Sequence, residues 1–188
     1  MTLFTKIEKV IVFSLRDIIS PWSPPLCTRF MVYYFRRRGM KIYGQPNYLS
    51  AKIWFDGADY SLIELNDGCT ISSNVRILTH DGAPYTIGRS IGITFDEPYV
   101  IFRPVRIGPF SFIGTNSLLM PGTDIGHGAI VGGGSVVRGK VPPWTIVVGN
   151  PAEPIGDSRD FLQSQLKKAG LDDLLRQFRQ HVDVTRPK

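Results

Sequence analysis

The chain has 188 residues, 43% hydrophobic and 20% charged, which is typical of one globular domain with appendages and excludes a disordered chain. Two cysteines are too few for a disulfide framework or a zinc site, so we expect a reducing compartment, the cytoplasm. The formal net charge of +6 suits an anionic partner, such as nucleic acid, an acidic membrane surface or a polyphosphate cofactor.

The first segment, residues 1–49, is predicted to be a helical and irregular cap. Apolar residues at helical spacing indicate one helix, which carries Ile7, Val10, Ile11, Leu15 and Ile18. Prolines between residues 21 and 25 end it. Charges at Arg16 and Asp17 make it neither a spanning helix nor a signal peptide. The run from Arg36 to Arg38 is interpreted as a solvated face, with peripheral contact to an acidic membrane as the alternative.

The centre of the chain carries a repeat of six residues. Large aliphatic residues occupy every sixth position: Leu65, Ile71, Ile77, Ile101, Ile107, Ile113, Leu119, Ile125, Val131 and Val137. Mostly small residues stand four positions after each: Cys69, Val75, Asp81, Val105, Ser111, Ser117, Thr123, Ala129, Ser135 and Val141. An even period keeps side chains on one side of an extended strand, whereas a helix would spread them around its surface. We therefore predict a coil of short parallel strands, about 4.8 Å apart, with the aliphatic residues stacked inside.

The period fails between His80 and Val100, although Ile77 and Ile101 remain a multiple of six apart. We predict that residues 82–98 are wholly or partly a loop extruded from the coil. Long loops on rigid scaffolds often carry function. An irregular segment without a role is the alternative.

Beyond the coil, residues 157–188 are predicted to form a C-terminal helix and tail. Ser158 is the expected N-cap. An apolar stripe interrupted by Gly170 follows, made of Phe161, Leu162, Leu166, Leu171, Leu174, Leu175 and Phe178. The coil itself is expected to span residues 50–156.

Two stretches carry a resemblance to a known family, IGPFSFIGTNSLLMPGTDIGHGAIVGGGSVVRGKVPP and IVVGNPAEPI. They resemble the hexapeptide-repeat acyltransferases, which include galactoside, maltose and many surface-polysaccharide acetyltransferases. The resemblance implies a left-handed parallel β-helix, a mainly β fold, to which the residue pattern adds the extruded loop and the terminal helices. It also implies a homotrimer that binds acetyl-CoA between neighbouring subunits. No metal is expected, because the sequence offers no plausible set of ligands.

His80, in the stretch ILTHDG, matches the place of the family's catalytic histidine. Imidazole titrates near neutral pH and is suited to take a proton from an alcohol or amine that attacks a thioester. Asp81 is a candidate to orient the ring, but it occupies an inward position of the repeat. Asp96 or Glu97 from the loop are the alternatives, and a structural role is open for each. His127 and His181 are expected to have no function.

The resemblance also implies a donor site. Thr115 matches a residue bordering the pantetheine, Gly133 matches the small residue of the segment VGxGS, and Phe112 replaces the usual tryptophan. After SVV the chain departs from the family's Thr-Lys, with Arg138, Gly139 and then Lys140. The phosphate contacts are then expected from Arg138, Lys140 or Arg159. The alternative for Thr115 and Gly133 is coil packing alone.

The implied reaction is acetyl transfer to a sugar hydroxyl or amine, in bacterial surface polysaccharide biosynthesis. The acceptor is a free, nucleotide-linked or lipid-linked sugar, contacted by loop residues Tyr85, Phe95, Asp96 and Glu97. Other classes fit less well. Three histidines in all do not suggest the zinc site of a carbonic anhydrase, and no nucleic-acid-binding module is recognised. A non-catalytic β-helix scaffold is the competing hypothesis.

Overall fold

The computed structural model describes residues 3–185 of the chain. Its helices are α1 (Leu3–Ile19), α2 (Pro24–Arg37), α3 (Ala83–Ser90), α4 (Ser158–Lys168) and α5 (Asp172–Thr185), with a 3-10 helix at Tyr60–Leu62. Its strands are β1 (Lys41–Ile42), β2 (Tyr48–Leu49), β3 (Trp54–Phe55), β4 (Ile63–Leu65), β5 (Thr70–Ile71), β6 (Arg76–Ile77), β7 (His80–Asp81), β8 (Ile101–Phe102), β9 (Val105–Ile107), β10 (Phe112–Ile113), β11 (Leu118–Leu119), β12 (Asp124–Ile125), β13 (Ile130–Val131), β14 (Val136–Val137), β15 (Lys140–Val141), β16 (Thr145–Val148) and β17 (Glu153–Asp157).

The strands wind into a parallel β-helix with three faces. The first sheet has the order β1-β4-β9-β12-β15, the second β2-β5-β10-β13-β16-β17 and the third β3-β6-β11-β14. The pairings in these three ladders are parallel, except that β17 pairs antiparallel with β16 at the end of the second sheet. The coil is the whole β-helix, and its passages through the three sheets are numbered. The first coil is thus β1 to β3, the second β4 to β6 and the third β9 to β11.

The core is a set of three stacked apolar rows, one behind each sheet. Each parallel strand in the three ladders places at least one apolar side chain inward, and β4 and β9 place two. The register aligns these side chains with their equivalents in the adjacent coils, as Ile113 with Ile71 and Val131. The rows are Ile42, Leu65, Ile107, Ile125 and Val141, then Leu49, Ile71, Ile113, Val131 and Val147, then Phe55, Ile77, Leu119 and Val137, all buried. The predicted coil with stacked aliphatic residues is confirmed.

The mostly small residues that stand four positions after each aliphatic residue also point inward at most positions. Its hydroxyl groups are satisfied locally, because the Oγ of Ser111 donates to the carbonyl of Gly108 at 2.7 Å and that of Ser135 to Gly132 at 2.6 Å. A buried hydroxyl without a partner would cost about 1–3 kcal/mol. These corners therefore accept serine in an otherwise apolar interior.

Three members of the predicted series lie elsewhere. Ile101 and Asp81 pair with each other in the antiparallel ladder of β7 and β8, outside the coil, and Asp81 is exposed. Val141 belongs to the aliphatic row of the first sheet, opposite Ile125. Only four positions separate it from Val137, because the corner between β14 and β15 is two residues shorter than the repeat requires.

The segment from 80 to 102 leaves the coil as one excursion. The amide of Arg103 donates to the carbonyl of Thr79 at 2.8 Å and closes its base. Helix α3 lies within residues 82–98, so this predicted loop is partly helical. The coil itself resumes at β9 without a break in register.

Helix α2 covers the open end of the first coil with Cys27, Met31 and Phe35, which are buried. The sequence pattern does not predict this helix, because the prolines that follow α1 also begin α2, with Ser23 as its N-cap. Paired strands start at Lys41, before the expected boundary at residue 50.

At the other end the N-cap of α4 is Asp157 and not Ser158, whose hydroxyl donates to the carbonyl of Gly128. No helix within residues 3–185 is both long and apolar enough to cross a membrane.

The stacked rows predict a large penalty for a cavity in the middle of the coil. Replacing Ile113 by Ala should lower the free energy of unfolding by about 2–5 kcal/mol, because its neighbours in both adjacent coils are held by the ladder and cannot close the gap. Urea unfolding followed by circular dichroism measures this change. Ile155→Ala, at an exposed position, is the matched control; equal losses in the two variants would contradict a core carried by the rows.

Candidate active site

His80 lies at the corner where the chain leaves the third sheet for the excursion. Its Nδ1 hydrogen-bonds to Oδ2 of Asp56, and its side chain remains 40% exposed. An ionised carboxylate only accepts hydrogen bonds, so Nδ1 carries the proton and Nε2 of the neutral ring is the basic nitrogen. The arrangement provides a fixed imidazole that is open to solvent on one side.

Asp56 follows the inward residue Phe55 of the first coil and is buried. Its Oδ2 accepts from the amide and the hydroxyl of Thr79, at 3.0 and 2.9 Å, and its Oδ1 accepts from the amide of Ala58 at 3.2 Å. Burial raises the pKa of Asp56, but these hydrogen bonds and the one from His80 outweigh it and hold the pKa below its ordinary value. Asp56 is therefore ionised and immobile at neutral pH.

The carboxylate that contacts His80 is thus not Asp81. Neighbouring side chains on a strand point to opposite sides, and Oδ1 of Asp81 instead accepts from the amide of Ala83 at 2.8 Å. Asp96 and Glu97 lie exposed on the excursion.

Asp56 was not predicted from the sequence, because the six-residue repeat does not extend upstream to it. Ten positions separate Phe55 from Leu65, with a 3-10 helix between them. In the sequence, Asp56 is marked only by its position directly after two aromatic residues, Trp54 and Phe55.

The excursion beside His80 has an aromatic cluster of its own. The rings of Tyr85 and Phe95 lie 5.2 Å apart, and Phe95 stacks on Tyr99 at 6.3 Å. The ring of Phe102 lies 6.0 Å from that of His80. Tyr85 and Phe95 are half-buried by these contacts, so they hold the excursion together. Stacking of either ring on a pyranose stays a prediction.

The predicted donor residues divide between two corners of the coil. Thr115 and Gly133 lie together at the corner between the second and third sheets, where a Cβ on Gly133 would come within 3.1 Å of the carbonyl oxygen of Thr115. The same carbonyl accepts from the amide of Gly134 at 2.8 Å. Phe112 is nearby on the outer side of the second sheet and is exposed. Small size at position 133 thus serves the close approach of two coils.

The basic candidates lie at the corner between the third and first sheets. Arg138, Gly139 and Lys140 are exposed there, two coils from the strand that leads into His80, a separation of about 10 Å along the axis. Arg159 is engaged elsewhere, since it pairs with Asp157 at 2.6 Å and covers the ring of Trp144. The third sheet separates this corner from Thr115 and Gly133 within one chain.

The two cysteines are free and buried. Burial raises the pKa of the Cys69 thiol to about 12 and also raises that of Cys27. Neither thiol is therefore suited to act as a nucleophile. Within the described side chains, no group of three or more His, Cys, Asp or Glu is placed to hold a metal ion.

Residues 104–139 match the family model for the bacterial transferase hexapeptide, which comprises six repeats. The match falls on the third and fourth coils, where the inward rows are most regular. The chain thus carries hexapeptide repeats at these positions. Its three-sided stack is shared with two solved structures, a maltose O-acetyltransferase from Clostridium difficile 630 and a galactoside acetyltransferase in complex with coenzyme A.

These structural similarities establish the fold of the chain as a left-handed β-helix. The maltose enzyme has a TM-score of 0.52 at 22% identity, over 83% of this chain and 89% of that one. The galactoside enzyme has a TM-score of 0.52 at 18% identity, over 84% of each chain.

Curated relatives with similar sequences carry acetyltransferase names. The "Probable acetyltransferase" of Mycobacterium tuberculosis is 29% identical over 158 residues, 71% of this chain and 52% of its own length. The chloramphenicol acetyltransferase of Escherichia coli is 49% identical over 49 residues, 26% of this chain and 23% of its own length. The chain thus spans about half the length, or less, of these relatives.

The hydrogen bonds of Asp56 predict a dependence of stability on pH. A carboxyl whose pKa is lowered on folding stabilises the fold above its unfolded pKa of about 3.9, and this contribution is lost as the pH falls through the lower folded value. Asp56→Asn lacks the charge, so wild type should exceed it in stability near pH 7 by an amount that shrinks as the pH falls below about 3.9. Urea unfolding at several pH values measures the gap; a constant gap would contradict an ionised Asp56.

Proposed function

We propose that this chain transfers an acetyl group from acetyl-CoA to a hydroxyl or amino group of a sugar. The observation that carries the proposal is the His80 and Asp56 pair, a buried carboxylate that fixes an exposed imidazole. The acetyltransferase names of the relatives support it. So does the similarity in fold to a galactoside acetyltransferase whose structure contains coenzyme A.

In the proposed reaction His80 is the general base. Its Nε2 takes the proton from the acceptor as the acceptor oxygen or nitrogen attacks the thioester carbonyl. The tetrahedral oxyanion then collapses, the carbon–sulfur bond breaks, and the leaving thiolate recovers the proton from the imidazolium. General base catalysis of this kind contributes about 10²–10⁴-fold. No covalent intermediate on the enzyme is needed.

Asp56 has two parts in this step. Its hydrogen bond fixes the tautomer in which Nε2 is free of a proton, and its negative charge stabilises the imidazolium that forms. Because three further hydrogen bonds from Thr79 and Ala58 hold it, the carboxylate does not follow the ring if the ring moves. A backbone amide near the acceptor would stabilise the oxyanion, a contribution of about 3–4 kcal/mol.

The coenzyme is proposed to bind between neighbouring subunits of a homotrimer. Thr115 and Gly133 would border the pantetheine, beside Phe112, while Arg138 and Lys140 would approach the phosphates. One chain holds these residues on two corners on either side of the third sheet. In an assembly, the corner of one subunit that holds Thr115 and Gly133 can lie against the corner of the next subunit that holds His80 and the basic residues. Such an arrangement would bring the donor residues and His80 together, and this supports the trimer.

The acceptor is proposed to be a sugar unit or intermediate of a bacterial surface polysaccharide, free or linked to a nucleotide or lipid. The excursion 80–102 lies beside His80 and offers exposed carboxylates at Asp96 and Glu97 for sugar hydroxyls. Buried unpaired thiols suit a reducing compartment, so we place the reaction in the cytoplasm.

Replacing His80 by Ala should lower turnover by about 10²–10⁴-fold, because the proton of the acceptor then has no base. Thiol release from acetyl-CoA, measured across a panel of sugars, nucleotide sugars and lipid-linked sugars, gives the rate. Coenzyme affinity, measured by calorimetry, should change little.

His181→Ala is the matched control, because that histidine is exposed on α5, which lies beyond the coil. It should retain full turnover. Near-normal turnover of the His80 variant would refute the assignment. Absence of thiol release by the wild type with any acceptor would favour the scaffold hypothesis.

Replacing Arg138 by Gln should raise the KM for acetyl-CoA about fivefold with little change in kcat, since one exposed contact to a phosphate is worth about 1 kcal/mol. Initial rates at several coenzyme concentrations separate the two constants. Arg176→Gln, on α5, should leave both unchanged. An unaltered KM in the Arg138 variant would remove this arginine from the donor site.

A further inference from the structure

Helix α1 leaves an apolar stripe exposed to solvent. Its inner face packs on the core through Val12, Phe13 and Ile19. Ile11, Leu15 and Ile18 are spaced four and three residues apart and form one stripe on the outer face. Ile11 is 53% exposed and Ile18 63% exposed. The stripe is thus unpartnered surface on a helix whose other face packs on the core and is partly buried.

The stripe continues into the turn that follows α1. Trp22 lies in this turn and is 88% exposed. A tryptophan with almost its whole ring in water, at the end of an apolar helix face, is typical of segments that lie in the interface of a bilayer. We call Val10, Ile11, Leu15, Ile18 and Trp22 the outer face of α1.

The positive charge of the chain is concentrated in the same region. Residues 1–40 contain seven Lys or Arg and two Asp or Glu, a net charge of +5, whereas the whole chain has a net charge of +6. Such a segment is attracted to anionic lipid, at about 1 kcal/mol for each basic residue near the surface. The same charge repels a second copy of the segment. Charge therefore favours a membrane over self-association through this face.

The run from Arg36 to Arg38 has structural partners. Arg36 donates through Nε to the carbonyl of Ile42 at 3.1 Å, and Arg38 lies 3.4 Å from Glu8. These contacts tie α2 to the first coil and to α1. They contribute to the charge of the region, but the surface available for insertion is the outer face of α1.

The outer face belongs to the end of the coil that carries the candidate active site. A cavity of about 520 Å³ separates α1 from the first coil and is lined by Phe13 and Arg16 on one side and by Phe55 and Gly57 on the other. Phe55 and Gly57 flank Asp56 in the chain. A bilayer bound at α1 would therefore lie at the His80 end of the molecule, away from α4 and α5.

We propose that the outer face of α1 docks on an anionic lipid bilayer, with the helix lying in the interface. A helix that lies in the interface in this way attaches the protein peripherally. The stripe supplies the apolar contact and the basic residues of this region supply the attraction to headgroups. This inference goes beyond the proposed reaction and does not depend on it.

Co-sedimentation of the full chain with vesicles tests the proposal. We expect retention on vesicles of equal parts phosphatidylcholine and phosphatidylglycerol, weaker retention on phosphatidylcholine alone, and loss of retention in high salt. The double variant Ile11→Ser, Ile18→Ser should lower the partition coefficient at least about tenfold. The matched control Ile155→Ser, Phe161→Ser removes two exposed apolar residues at the far end of the coil and should bind as wild type does.

Tryptophan fluorescence gives a second measurement that needs no change in the stripe. Replacing Trp54 and Trp144 by Phe leaves Trp22 as the only tryptophan of the three. Its emission should shift to shorter wavelength when anionic vesicles are added.

Lack of retention on both kinds of vesicle would overturn the proposal. So would equal retention of the Ile11 and Ile18 variant, because charge alone would then explain binding. An elution volume in gel filtration that increases only in that variant, without vesicle binding by the wild type, would show that the face joins copies of the chain.

Discussion

Every other feature of this molecule depends on the vertical alignment of inward side chains in successive coils. Ile71, Ile113 and Val131 stand directly above one another because the parallel ladder fixes their register. The interior is narrow and holds few side chains for each coil, so a residue added within a strand would reverse every side chain beyond it. Extra residues are accepted only at corners, where the chain turns between two sheets.

The corners therefore carry both the structural irregularities and the chemistry. At the corner between the first and second sheets, Gly128 has φ of +62° and the ring of Trp144 from the next coil lies on it; a Cβ there would come within 2.4 Å of that ring. At the corner between the third and first sheets, the excursion leaves and His80 becomes exposed. The rigid rows behind it hold Phe55 and, with it, Asp56. A buried carboxylate next to an exposed imidazole follows from this combination of fixed coil and free corner.

The N-terminal helices join this arrangement to the surroundings of the molecule. Helix α2 is required by the coil, because the first coil would otherwise leave apolar residues and unpaired strand edges in water. Helix α1 is held in turn by α2 and keeps one apolar face outside. The end that is closed by these helices is the end that carries Asp56 and His80. The proposed reaction and the proposed membrane contact thus share one end of the coil, for reasons of packing alone.

The sequence by itself determined the coil, because burial of every sixth residue leaves a period that can be read without coordinates. It also determined His80 as the residue at the interruption. Only the tertiary structure decided which carboxylate meets it, since Asp56 lies 24 positions upstream in a coil whose spacings of seven, six and ten hide the frame. The same holds for Ile101, which kept the period but left the coil, and for α2, which the prolines concealed. The six-residue period shows which residues are buried. It does not show the partner of a polar side chain, which depends on which coils the fold brings into contact.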